Sequence, residues 1–168
     1  MSAAQRPRPS LRAVALRVAL GAVVLLVLIQ FVPYGHDHAN PPVTKAAQLD
    51  PGTKAIVTEA CADCHSNLTR WPWYTNVAPA SWFAQSDVDG GRETMNFSEW
   101  DRAQPAVDEL AEVIASGQMP PTKYKILPNH AKARLSDAEK ARLIAGLRRL
   151  YATDPPAGIK VVGTQRRQ

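Results

Sequence analysis

The chain has 168 residues, enough for one domain with appendages. Its formal net charge of +5 is concentrated at one end: Arg6, Arg8, Arg12 and Arg17 precede the first acidic residue, Asp37, which leaves 16 Lys and Arg against 15 Asp and Glu in the rest. The body is close to neutral, which excludes the basic footprint of a nucleic-acid-binding protein, and the 14 prolines point to long irregular connections.

Residues 1–12 read as a basic cytoplasmic leader. Residues 13–32 read as a membrane anchor: Val18 to Gly35 carries no charge, and Val18 to Ile29 is almost wholly aliphatic. About 20 such residues cross the ~30 Å hydrocarbon core of a bilayer, with Arg17 reaching back to the head groups. No Lys or Arg follows until Lys45. The positive-inside rule therefore places the N-terminus in the cytoplasm and the rest on the periplasmic, extracytoplasmic side. A cleaved signal peptide is the competing reading. No small-x-small site follows Ile29, where the chain runs Gln-Phe-Val-Pro-Tyr-Gly, and this favours a retained anchor.

Residues 33–51, with Pro33, Gly35, Pro41 and Pro42, read as a Pro-rich tether without a packed element. His36-Asp37-His38 within it reads as solvated linker, because two histidines alone rarely make a metal site. The folded domain is expected over 52–151. Thr53 to Cys61 has the pattern of a short helix, with Thr53 as N-cap and Ile56, Val57 and Ala60 as its apolar stripe. That helix delivers Cys61-Ala62-Asp63-Cys64-His65, which holds the only two cysteines of the chain.

The spacing C-x-x-C-H is that of a c-type haem attachment site. Each thiol can add to one haem vinyl group, and the adjacent imidazole then supplies the proximal iron ligand. A zinc site takes four Cys or His ligands at paired spacings. Here there is no second C-x-x-C, and the other histidines are His36, His38 and His130. A thioredoxin-like dithiol would sit in strand–helix alternation, which is missing.

Trp71, Trp73, Tyr74 and Trp82 follow as the densest aromatic cluster, suited both to the core and to walling a haem. Asp87 to Arg92, with Gly90-Gly91, reads as a turn or loop. Ser98 looks like an N-cap with Asp101 three residues on. Val107, Leu110, Val113 and Ile114 keep helical spacing up to a stop at Gly117. Pro121 to Pro128 reads as a polar connection. Ser136-Asp137-Ala138-Glu139 is a capping box, and Leu143, Ile144, Leu147, Leu150 and Tyr151 mark the buried face of the last helix. Arg142, Arg148 and Arg149 lie on its outside and read as a solvated face. Residues 152–168 read as a flexible tail.

The run Cys-Ala-Asp-Cys-His-Ser-Asn-Leu-Thr-Arg-Trp-Pro-Trp-Tyr, from Cys61 to Tyr74, resembles the hallmark of the bacterial haem-binding domain family, a group of small membrane-anchored c-type cytochromes. Gly91-Arg92, Met95 to Trp100, Gly117 to Pro121 and Tyr124 to His130 are similar too, so the resemblance covers Pro33 to Tyr151. It implies haem binding and electron transfer and says little about partners.

A low-spin haem needs a second axial ligand opposite His65, and Met or His is the usual choice. Met119 is the leading candidate: it follows the Gly117 stop, and Pro120-Pro121 stiffen the chain beyond it. Met95 and His130 are weaker alternatives. Arg70, Arg92, Trp73 and Tyr74 are candidates for holding haem propionates.

The expected fold is all-α: a small cytochrome c-like helical domain around one covalent haem c, behind a single N-terminal transmembrane helix. The expected function is one-electron transfer by a His/Met-ligated haem at the outer face of the cytoplasmic membrane, with a redox protein as partner and no catalysis of its own. One alternative is a haem sensor or peroxidase-like enzyme with an open sixth site. The other is an anchored haem subunit of a respiratory complex.

Overall fold

Ser10 accepts a hydrogen bond from the Ala13 amide and opens helix α1, Leu11–Ile29, in the computed structural model, which describes residues 10–126 and 128–160. None of α1 is buried, and it is long and apolar enough to cross a membrane. A helix that is apolar all round needs an apolar surrounding to cover it. Most of the basic leader, including Arg6 and Arg8, lies outside the described residues, as does the end of the chain from 161.

Between α1 and the next helix the chain forms no helix, yet it is not free. The Lys45 carbonyl accepts from the Trp100 amide at 2.8 Å, the Ala47 amide donates to Phe97 O at 2.9 Å, and Lys45 bridges Glu99. The expected tether therefore lies along the domain as a strap. Helix α2, Pro51–Ala60, starts one turn earlier than the Thr53 cap predicts. Asp50 is the cap, accepting from the Thr53 amide at 3.0 Å and the Thr53 hydroxyl at 2.7 Å, and Pro51 fills the first turn, where its missing N–H costs nothing. Thr53 is instead fully buried against α7, in contact with Gly146.

A break at Cys61 separates α2 from the single turn α3, Ala62–His65. A 3₁₀ turn, Trp73–Asn76, leads into α4, Ala80–Thr94. The expected loop at Asp87–Arg92 lies inside α4. Its glycines allow a close approach: a Cβ on Gly91 would run into the Cys64 carbonyl oxygen and lie 3.0 Å from the Cys64 carbonyl carbon. Ser98 caps no helix. Its amide donates to Asn96 Oδ1 and its hydroxyl accepts from the Asn67 amide, so residues 95–102 form turns. Gln104, Asn96 and Asn67 extend that buried polar network.

Strand β1, Ala103–Pro105, precedes α5, Val107–Ala115, which ends at Gly117 with φ +73° as its stop signal predicts. The polar connection contains one turn of helix, α6, Thr122–Lys125, and a 3₁₀ segment follows at Pro128–Ala133. Helix α7, Asp137–Thr153, begins at the predicted capping box: the Ser136 hydroxyl accepts from the Glu139 amide and the Glu139 carboxylate from the Ser136 amide. The described part of the expected tail contains a strand. Strand β2, Gly158–Lys160, pairs in parallel with β1, Ala103 against Gly158.

The core joins Val57 of α2, Met95, Phe97 and Trp100 of the turns, Leu110 and Ile114 of α5, and Leu143, Leu147 and Leu150 of α7. Trp100 is its centre, fully buried, stacked on Phe97, edge-on to Tyr151, and donating from Nε1 to the Asp154 carbonyl at 2.7 Å. Filling this role falls to Trp100 and not to the tryptophans after the attachment motif.

Candidate functional site

Helix α2 ends by directing Cys61 inward, and α3 turns the next four residues into one compact loop: the Cys64 and His65 amides both donate to the Cys61 carbonyl, at 3.2 and 2.9 Å. Polar residues of the motif lock that loop. The Ser66 hydroxyl donates to Ala62 O at 2.7 Å and the Thr69 hydroxyl to Asp63 O at 2.7 Å. The Arg70 guanidinium grips the Asp63 carboxylate at 3.0 Å from both Nε and Nη2. Asn67, 1% exposed, donates from Nδ2 to Pro42 O and Glu99 Oε1 and accepts from Asn96. Satisfied polar networks of this kind fix one backbone geometry, because an unpaired member left in the interior is costly.

His65 is held by α4. Its Nδ1 lies 3.0 Å from Gly91 O and 3.1 Å from Met95 O. Both partners are carbonyl oxygens, which only accept, so Nδ1 carries the proton and Nε2 is left with its lone pair. Burial depresses the His65 pKa and keeps the ring neutral. A neutral imidazole with a fixed tautomer is what an iron ligand requires. Gly91 serves twice here, by offering its carbonyl and by having no side chain between α4 and Cys64.

Cys61, Cys64 and His65 line one mostly apolar cavity of about 610 Å³. Close-packed interiors leave few voids larger than a water molecule, whereas a volume of this size is that of a cofactor pocket. Ala84 and Val88 of α4, Ile114 of α5 and Leu143 of α7 also face it. Burial pushes the Cys61 thiol up to about 12 and the Cys64 thiol to about 11. A redox dithiol needs the opposite shift. Among the described residues no three His, Cys, Asp or Glu side chains converge as a metal cluster.

Of the expected sixth ligands, Met119 and His130 line the cavity and Met95 does not. The Met95 side chain lies in the core, 5% exposed, and its carbonyl belongs to the His65 clamp. Met119 is fixed behind the α5 terminus by its amide, which donates to Val113 O at 2.9 Å. His130 Nε2 is 2.5 Å from the Tyr74 hydroxyl, and burial lowers its pKa.

Of the four propionate candidates, Arg70 and Tyr74 line the cavity. Arg92 is spent on structure, donating to Ser66 O, Ala39 O, Asn40 Oδ1 and the Thr69 hydroxyl. Trp73 is 78% exposed and Trp71 stacks on His38, so of that aromatic cluster it is Tyr74 that walls the cavity. Two cavity residues, Asp87 and Tyr124, are not among the candidates read from the sequence. Asp87 accepts from the Tyr124 hydroxyl at 2.6 Å and pairs with Lys123, which ties α4 to the segment carrying Met119. Only the fold brings positions 87 and 124 together.

The model of the haem-binding domain family matches residues 24–149. The chain belongs to the haem-binding domain family. No curated protein and no solved structure matches it. The match spans the attachment loop, α4, the Met119 segment and most of α7, which are the parts that enclose the cavity. The donor set suits the group that the family binds: two neutral thiols one helical turn apart, an imidazole with Nε2 unblocked, and an apolar enclosure.

Proposed function

We propose that this haem-binding domain protein holds one haem c, bound covalently through Cys61 and Cys64, and carries single electrons at the outer face of the cytoplasmic membrane. The observation that carries the reading is the shared cavity of the two thiols with an imidazole whose Nδ1 proton is committed to Gly91 and Met95. Each thiol adds across a vinyl double bond, sulfur to one carbon and hydrogen to the other, so attachment consumes no oxidant or reductant. Bound there, the haem supplies an iron that gains and loses one electron.

The protein's own part is to position and shield. His65 Nε2 would hold the iron, and the carbonyl clamp on Nδ1 fixes the ring plane. Met119 is the favoured second ligand. Met95 is buried elsewhere and His130 is engaged with Tyr74, while Met119 is on the cavity with its backbone anchored. Methionine ligation raises the potential relative to a second histidine. Ile114, Leu143 and Val88 keep water from the site, which also bears on potential. Export is supported by α1 and the arginines before it, and the electron partner is then another protein of that compartment.

One observation favours a second reading. His130, neutral and hydrogen-bonded to Tyr74, faces the same cavity and has the chemistry of a distal acid–base pair for peroxide or gas binding at an open iron site. Visible and near-infrared spectra of the purified protein and of Met119→Ala separate the two. The carrier reading predicts a low-spin spectrum with a methionine-to-iron charge-transfer band that the substitution abolishes. A high-spin wild type that takes up carbon monoxide readily would refute it.

A further inference from the structure

A Pro-rich tether would let the haem domain swing clear of its anchor, but the contacts after α1 hold the two together. Gln30, the first residue past the helix, donates from Nε2 to the Ala78 carbonyl at 3.0 Å and accepts at Oε1 from the Ala78 amide at 2.9 Å. The same Nε2 donates to Leu26 O at 2.8 Å inside α1. Five residues later Gly35, at φ +82°, lies so close to α4 that a Cβ would stand 2.7 Å from Ser81 O. His38 then donates from Nε2 to Thr75 O, 2.9 Å away, and stacks on Trp71 at 4.5 Å. Three successive contacts bind the strap to residues 71–81, and the first of them begins where α1 ends.

Around this junction large apolar side chains face outward. Phe31 is 79% exposed, Trp73 78% and Phe83 66%, with Tyr34 and Val77 about half exposed. Phe31 and Tyr34 flank the stretch between Gln30 and Gly35. Val77 adjoins Ala78, Phe83 lies two residues past Ser81, and Trp73 opens the turn that ends two residues before Ala78. At 3.8 Å per residue every one of the last three is within about 20 Å of the Gln30 contact. Large apolar side chains exposed around one junction suit an interaction surface, and Trp and Tyr gather at the level of lipid head groups.

We propose that this aromatic collar is sunk in the head-group layer of the bilayer that α1 crosses, so that the haem domain lies on the membrane surface. The proposal rests on the reading of α1 as a retained anchor. Continuity identifies the occupant: the apolar surface of α1 ends at Ile29, the collar resumes at Phe31, and the Gln30–Ala78 pair brings residues 73–83 to the same depth. None of the five collar side chains is charged. Tyr74, next to Trp73 in the same turn, lines the haem cavity, so the cavity stands within one turn of the membrane face.

The test uses the full-length, haem-loaded protein in phosphatidylcholine–phosphatidylglycerol vesicles that carry a photoreactive diazirine, on the head group in one preparation and in the acyl chain in another. Adducts are mapped by mass spectrometry. The expected result is acyl-chain labelling of α1 together with head-group labelling of Phe31, Tyr34 and residues 73–83. Val77→Ser/Phe83→Ser should reduce labelling of 73–83 at least twofold with the visible spectrum unchanged, and Gln30→Ala should reduce it while sparing Phe31. Acyl-chain labelling of α1 without head-group labelling of 73–83 overturns the docking and leaves the anchor standing. No acyl-chain labelling of α1 overturns the anchor itself.

Discussion

Replacing Gly91 by alanine tests how the attachment loop is held. The added Cβ would collide with the Cys64 carbonyl oxygen and stand 3.0 Å from its carbon, where carbon atoms prefer about 3.5–4.0 Å. Both are backbone atoms, so α4 must retreat from α3 by about 0.5–1 Å. That retreat stretches the 3.0 Å bond from His65 Nδ1 to the Gly91 carbonyl past the range of a hydrogen bond. Overpacking costs about 1–3 kcal/mol and the weakened bond about 1 more. Better helix propensity returns about 1. Gly91→Ala should therefore be less stable by about 1–3 kcal/mol. Gly90, its neighbour in α4, has nothing within 4 Å of a Cβ. Gly90→Ala should gain about 0.5–1 kcal/mol from propensity alone. Urea unfolding of the two haem-loaded variants in detergent gives both midpoints. A Gly91→Ala protein as stable as Gly90→Ala would refute the argument that α4 is seated through Gly91.

Asn67→Ala leaves Asn96 Nδ2 and Glu99 with buried or half-buried polar atoms unpaired, and should cost about 2–4 kcal/mol by thermal unfolding; a loss under about 0.5 would mean that the network adapts freely. Asp87→Ala removes the Tyr124 and Lys123 contacts that hold the Met119 segment to α4. With charge-assisted bonds of about 1.5–3 kcal/mol lost, stopped-flow binding of carbon monoxide to the ferrous protein should quicken on the order of tenfold, and an unchanged rate would contradict the clasp. Asp50 sits at the start of α2 with its carboxyl pKa lowered, first by the hydrogen bonds from Thr53 and then by Arg149. A depressed folded-state pKa gives stability that is complete above the ordinary value of 3.8 and lost as pH falls below it. Urea midpoints should hold from neutral pH to about 5 and fall below about 4, with a shallower fall in Asp50→Asn. An equal fall in both proteins would remove Asp50 from the account.

The helical class, the long apolar N-terminal helix, the α7 capping box and the Gly117 stop are local signals, and the structure follows them. The residues missed are those whose role depends on distant neighbours. Gly90-Gly91 has the composition of a turn yet lies within α4 near its C-terminal end, where the contact of Gly91 with Cys64, 27 residues earlier, requires the missing side chain. Ser98 has the signature of a cap and serves a polar network that reaches back to Asn67. The tryptophans beside the motif look like the core, yet Trp100 fills it and Trp73 faces outward. Cys61, Cys64 and His65 are legible as attachment candidates from their spacing, whereas the residue that would face them across the cavity depends on how α5, α6 and α4 close around it.

Covalent attachment is the central claim, and the intact mass of the exported protein with its pyridine haemochrome spectrum tests it most directly. The account predicts a mass increased by one haem that acid–acetone extraction cannot remove. Its haemochrome band should fall at the two-thioether position in wild type and shift toward the one-thioether position in Cys61→Ala and in Cys64→Ala. A polypeptide that leaves its haem in the organic phase, or an unshifted band in either variant, would contradict it.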